Sequence, residues 1–233
     1  MNLKKKVLVS FGVFISAVIL VFLGFLLYLK LHSADISKID DSMLNPSSQI
    51  LSDEDNSYSE LKQASENLML SEDNKKIVHN LSQNTEWDDA LAQQIVESNE
   101  VALTLFNKSS WKKGYQDPMV QTDPKTWNTE MIFSDRSKIR SIAELSLIKS
   151  WILFKQGKER EAFDNTLNAV YSGQALENSP RTDLLNFLIG MSIKDLGMRA
   201  LQSMIPKSHL TSGELKDYLK KMDTFKDNRA GLQ

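Results

Sequence analysis

The chain has 233 residues, 41% of them hydrophobic and 25% charged, with a formal net charge of -2 and no cysteine. That length allows one membrane segment and one compact domain. The absence of cysteine excludes disulfides, thiolate metal sites and a cysteine nucleophile. Setting aside Lys4, Lys5 and Lys6 leaves 25 of the 28 basic residues against 30 acidic ones, a balance that argues against a nucleic-acid-binding face.

The first feature is Val7–Leu29, VLVSFGVFISAVILVFLGFLLYL, which carries no charge. As a helix it rises about 34 Å, enough to cross a hydrocarbon core of about 30 Å. Lys4, Lys5 and Lys6 precede it, and mixed charges follow. The positive-inside bias predicts a six-residue cytoplasmic tail at 1–6, a transmembrane anchor at 7–29, and everything after it outside the cytoplasm. The expected location is the plasma (inner) membrane, as a single-pass signal-anchor protein. A cleaved signal peptide is the competing reading. Its apolar region is normally only about 7–15 residues long, and here His32 would stand where cleavage prefers a small residue. Gly12 and Ser16 form a small-xxx-small pair on one face of the span, the pattern of a weak homodimer contact.

Residues 30–56 read as a tether, rich in Ser, Asp and Asn and broken by Pro46. As a flexible chain this length spans about 30 Å. From 57 to about 228 the pattern is helical, predicting an all-α domain of about six or seven helices. Tyr58, Leu61, Ala64 and Leu68 mark the first helix. Ser71 reads as the N-cap of the second, and Thr85 opens TEWD, read as a capping box before a helix running to about Asn107. The next helix is expected between Ser134 and Gly157. Its centre, IAELSLIKSWILF, is apolar on nearly every side and should form the middle of the domain. KEREAFDNTLNAVYSG follows, ending near Gly173; Ser179-Pro180 reads as cap and first residue of another helix. Pro206 stops that helix, and Thr211–Glu214, TSGE, is a capping box before the last.

Between these helices, 108–133 forms a long loop without a helical stripe. It contains WKKGYQDPMVQTDPKTW, with two of the four tryptophans and two Asp-Pro steps. Loops beyond about 12–15 residues are usually functional or disordered, and this one is too aromatic for disorder. Two arrangements are open. The aromatic side chains plug the open edge of the helical array; or Trp111, Tyr115 and Trp127 form an exposed cluster ringed by Lys112, Lys113 and Lys125, suited to a partner protein, a glycan or an anionic envelope polymer.

Within the central hairpin, Gly157 sits in the turn, Ala162 follows five residues later and Ala169 seven beyond that. This stretch, about 143–173, resembles the turn and second helix of a tetratricopeptide repeat, which implies close helix pairing in a repeat-like array. Thr166 and Lys149 occupy positions that family keeps apolar, and no second copy appears near a 34-residue period; a generic bundle is the alternative. Arg140 and Glu144 lie one turn apart on the central helix and are expected to pair if buried.

The three histidines, His32, His79 and His209, show no metal-ligand spacing, and no phosphate-cradling or nucleophile-elbow motif is present. No cofactor and no catalytic residue is predicted, and the protein is expected to be non-enzymatic. The sequence therefore predicts a membrane-anchored extracytoplasmic helical scaffold, an accessory subunit docking other envelope proteins. The alternative is a module binding an envelope glycan or small ligand; an envelope hydrolase comes third.

Overall fold

The computed structural model describes residues 50–118, 129–177 and 184–223, with side chains of the second stretch from 135 onward, all inside one compact unit, Ser47–Gln233. Every regular element among these residues is helical. In chain order they are α1 (Tyr58–Glu66), a 3-10 turn (Glu72–Asn74), α2 (Lys75–Ser82), α3 (Asp89–Ser98), α4 (Glu100–Ser109), α5 (Thr129–Lys155), α6 (Glu159–Glu177), α7 (Leu184–Met204), a 3-10 turn (Ile205–Lys207) and α8 (Ser212–Asp223). The domain is therefore all-α, with eight α-helices among the described residues rather than six or seven. None of these helices is long and apolar enough to cross a membrane. The predicted span Val7–Leu29, its flanking lysines, the Gly12/Ser16 pair and the tether up to residue 49 lie outside the described residues.

α5 is the axis. Ile142, Ala143, Leu145, Ile148 and Trp151 are buried, and so are Ser146 and Ser150, one and two turns on from Ile142. The helix packs against α1, α2, α3, α4, α6 and α7, which is why it is apolar nearly all round. It begins at Thr129, earlier than the expected start after Ser134; Glu130 and Met131 are good helix formers and carry it back. At its other end Gly157 is left-handed, φ +76°. Gly157 N–H donates to Phe154 O and Lys158 N–H to Leu153 O, both at 3.0 Å, the paired bonds of a Schellman motif. The chain thus reverses into α6, whose Ala162 and Ala169 are buried.

Two expected boundaries are corrected. The helix predicted from Thr85 to Asn107 is broken into α3 and α4 at Asn99. The buried Asn99 side chain donates to Ile95 O at 2.9 Å and accepts from Met69 N–H at 2.7 Å, so it takes over backbone bonding at the break and ties it to the α1–α2 connection. The cap of α3 is Asp88, which accepts from Leu91 N–H at 2.9 Å, whereas Thr85 donates to Asn80 O. The second correction is at Gly173. It does not end α6, which continues to Glu177. Gly173 and Gly190 instead let α6 and α7 touch along their backbones, and Gly197 lies against Val170.

α8 begins with the expected capping box. Thr211 Oγ1 accepts from Glu214 N–H, and the Glu214 carboxylate accepts from Thr211 N–H at 2.7 Å. The Thr211 hydroxyl and the Thr211 N–H, both donating to that carboxylate, with an Arg160 hydrogen bond, hold the Glu214 carboxyl down at about 2. The helix is stapled to α6 by Phe163 against Tyr218, ring centroids 5.1 Å apart.

Candidate functional site

Most of the predicted surface residues belong to the segment after α4. The chain arriving from residue 50 lies directly along this segment. Asn56 and Gly114 form an isolated bridge. Ser57 N–H donates to Gly114 O at 2.9 Å, and Gly114 N–H donates to Asp55 O at 3.1 Å. The Asn56 side chain copies a strand edge: its amide donates to Gln116 O and its carbonyl accepts from Gln116 N–H, both at 2.8 Å. Leu51 N–H donates to Gln116 Oε1 at 2.9 Å. Residues 51–57 thus form a strap seated on 112–116.

Lys112 locks this seam. Its ammonium donates to Asp53 O at 2.8 Å and Asn56 O at 3.0 Å and pairs with Glu60 Oε1 at 2.8 Å. Three acceptors match the three protons of an ammonium. Burial pushes the Glu60 carboxyl up, but the Lys112 hydrogen bond, with a backbone bond and the charges of Lys112 and Lys108, outweighs it and leaves the group below the usual range. Lys113 pairs with Asp55 at 3.0 Å. Neither lysine forms the free basic rim expected of an anion-binding surface, because the acidic strap Asp53–Asp55 and Glu60 on α1 face them.

The aromatic residues separate. Tyr115 is only 2% exposed, so it is a plug rather than part of the surface. Its ring packs edge-on to Tyr58 at 5.8 Å, and the Arg136 guanidinium lies 5.5 Å from its centroid. Arg136, itself buried, donates to Asp117 Oδ2 at 2.8 Å and Asn186 Oδ1 at 3.0 Å, joining the loop to α5 and α7. Burial explains the difference: an aromatic ring beside a buried ion pair excludes water from it. Trp111 is the opposite case, 74% exposed. Its ring leans over Tyr171 of α6, centroids 5.9 Å apart at 36°. Lys125 and Trp127 lie outside the described residues.

Beneath the Trp111–Tyr171 pair, one turn back on each helix, runs an amide ladder. Asn168 donates to Asn107 Oδ1 and Asn107 to Asn165 Oδ1, each at 3.3 Å. Asn165 then donates to Ser146 O at 2.7 Å and Ser150 Oγ at 2.9 Å inside the core. This ladder fixes α4 against α6 and so fixes the base of Trp111. Tyr171 and the ladder were not singled out from sequence. Tyr171, Asn165 and Asn168 sit on α6, and no spacing rule links residue 111 to residue 171.

Elsewhere, Arg140 and Glu144 approach to 3.5 Å, and Glu144 also meets His79 Nδ1 at 3.0 Å. Glu144 is buried and half-exposed partners cover it, a packing role on α5. A cleft of about 490 Å³ is lined by Gly157, Glu159, Arg160, His209 and Glu214 among others. Two of its three carboxylates are engaged, Glu159 with His209 at 2.8 Å and Glu214 accepting from Arg160 at 2.7 Å, and Glu161 is the third. Among the described residues no group of three His, Asp or Glu could hold a metal. On α7, Leu184, Leu188 and Met191 are exposed at i, i+4 and i+7, a stripe hidden in sequence by the overall apolarity of that helix.

No protein-family model matches this chain, and no curated protein or solved structure is significantly similar to it.

Proposed function

We propose that the protein is a single-pass membrane-anchored interaction module: Lys4, Lys5 and Lys6 hold its N-terminus in the cytoplasm, Val7–Leu29 spans the bilayer, and the helical domain is displayed outside the cytoplasm. Its role is that of a non-enzymatic accessory subunit that docks another envelope protein. The observation carrying this reading is Trp111, three-quarters exposed yet oriented by Tyr171. Tryptophan is the residue type most often dominating protein interfaces. A ring already oriented loses little freedom on binding. The apolar ring, with its neighbouring lysines neutralised, favours a partner that buries it over an anionic polymer held by charge.

One observation favours a second reading. The Asn107 and Asn168 amides adjoin the aromatic pair, and a flat ring beside amide groups also suits a glycan. Replacement of Trp111 by a photoreactive residue, followed by crosslinking in native membranes and mass spectrometry, separates the two. Adducts to a defined membrane or envelope protein support docking. Adducts to envelope polysaccharide support the glycan reading. Intramolecular links alone overturn both.

A further inference from the structure

We infer that Asn56 and Lys112 are the positioning residues of the Trp111 surface, so that this surface is complete only while the chain coming from the N-terminal apolar segment is seated on it. The inference rests on the docking reading of Trp111 and adds its regulation by the strap.

Trp111 lies between two kinds of support. On one side the ladder Asn107–Asn165–Asn168 ties the end of α4 to α6. On the other side the chain leaves the helix with one last turn bond, Lys112 N–H to Ser109 O at 3.1 Å, and residues 113–116 follow the strap. Their backbone polar groups are satisfied by the strap: Gly114 N–H and O by Asp55 and Ser57, Gln116 N–H and O by the Asn56 side chain. A backbone group left without a partner in a part-buried seam carries a desolvation cost, so the loop keeps this path only when the strap supplies partners. Lys112, adjacent to Trp111 in the chain, closes the seam by bonding two strap carbonyls and Glu60 at once.

Among the described residues the strap has few other holds. Ile50 is exposed, as are Asp53 and Glu54. Among those residues it is attached to the domain chiefly through the Trp111 loop. Anything that draws residues 51–56 away, by tension on the tether or by a partner competing for the acidic Asp53–Asp55, removes the partners of Gly114 and Gln116 and frees the backbone next to Trp111. Local openings of this kind expose only the bonds they break and leave the core helices closed.

Full-length protein in lipid nanodiscs tests this with three variants. Asn56→Asp keeps the side-chain shape but replaces the amide donor facing Gln116 O. Lys112→Met keeps the stem and removes the ammonium. Gln116→Ala removes the side-chain acceptor of the Leu51 bond and serves as the mild variant should either of the others unfold. The readouts are hydrogen exchange at the Gly114 and Gln116 amides, and the fluorine NMR signal of 5-fluorotryptophan assigned to position 111. The expected result is at least tenfold faster exchange at those two amides, unchanged exchange in α5 and α6, and a shifted or broadened Trp111 signal. Unchanged exchange at Gly114 and Gln116, or faster exchange with an unmoved Trp111 signal, overturns the inference. Crosslinking from position 111 reports separately on docking: its absence in the wild-type chain removes the docking partner, while the exchange and fluorine signals still decide whether the strap positions Trp111. Where wild-type crosslinks exist, Asn56→Asp is expected to lower their yield at least fivefold, and a yield equal to wild type overturns the regulatory part.

Discussion

Gly173 of α6 and Gly190 of α7 meet backbone to backbone: a Cβ placed on Gly190 would stand 2.5 Å from the Gly173 carbonyl oxygen, and one on Gly173 2.7 Å from the Gly190 carbonyl oxygen. Neither carbonyl can swing away as a flexible side chain would, because each belongs to a helix. The two longest packed helices after α5 owe their approach to two missing methyl groups.

Gly190→Ala is therefore expected to destabilise the domain by about 1–3 kcal/mol, the usual cost of overpacking, despite the gain of about 1 kcal/mol in helix propensity that alanine brings. Gly213→Ala, on α8, is the control. Its added methyl meets only Thr211 Oγ1 at 3.9 Å, so it should be neutral or stabilising. Chemical denaturation midpoints of the two variants check this; equal midpoints would show that the α6–α7 contact yields at no cost.

Arg136 and Asp117 form an ion pair with both side chains almost wholly buried. Removing one partner takes the buried counter-charge from the other, and such losses run to about 3–5 kcal/mol. Arg136→Met should fall in that range. The double variant Arg136→Met with Asp117→Leu should be milder than Arg136→Met alone, because no charge is then left unpaired. A double variant that loses as much as the sum of the two single ones would mean that the pair is not acting as a unit.

The Glu60 carboxyl lies below its unfolded value because Lys112 and its other partners outweigh burial. A carboxylate depressed on folding stabilises the fold above its unfolded pKa, near about 4.3, and loses that contribution as pH falls through the lower folded value. Stability should thus drop through acid pH, and Lys112→Met should flatten this part of the profile. In that variant the burial that raises Glu60 acts without the Lys112 contribution. Its carboxyl should titrate higher than in wild type, measurable by carboxyl carbon-13 NMR; a titration unmoved by the substitution would mean that Lys112 is not what holds it down.

The proposed orientation can be tested cleanly because the chain contains no cysteine. Single cysteines at Lys5 and at Trp111 report on opposite sides. A membrane-impermeant maleimide added to intact cells or spheroplasts should label Trp111→Cys and not Lys5→Cys, and Lys5→Cys should become reactive after permeabilisation. The reverse pattern, or absence of the Lys5 label from the mature protein, would remove the anchor from the proposal.

The division between what sequence and tertiary structure decide follows the range of the forces involved. Helix class, the central position of α5, the Gly157 turn and the Thr211–Glu214 box were legible in the order of residues, since each depends on bonds or packing patterns spanning a few positions. Asn99 and Gly173 were misread for the same reason: one looked like an ordinary helix residue and the other like a stop, and what settles them is Met69 and Gly190, far away in the chain. The aromatic loop shows the limit most plainly. Sequence marked Trp111, Tyr115 and the lysines together. Only the folded chain brought Tyr115 under Arg136, closed Lys112 on Glu60 and left Trp111 on Tyr171, because burial and charge pairing are properties of neighbours in space.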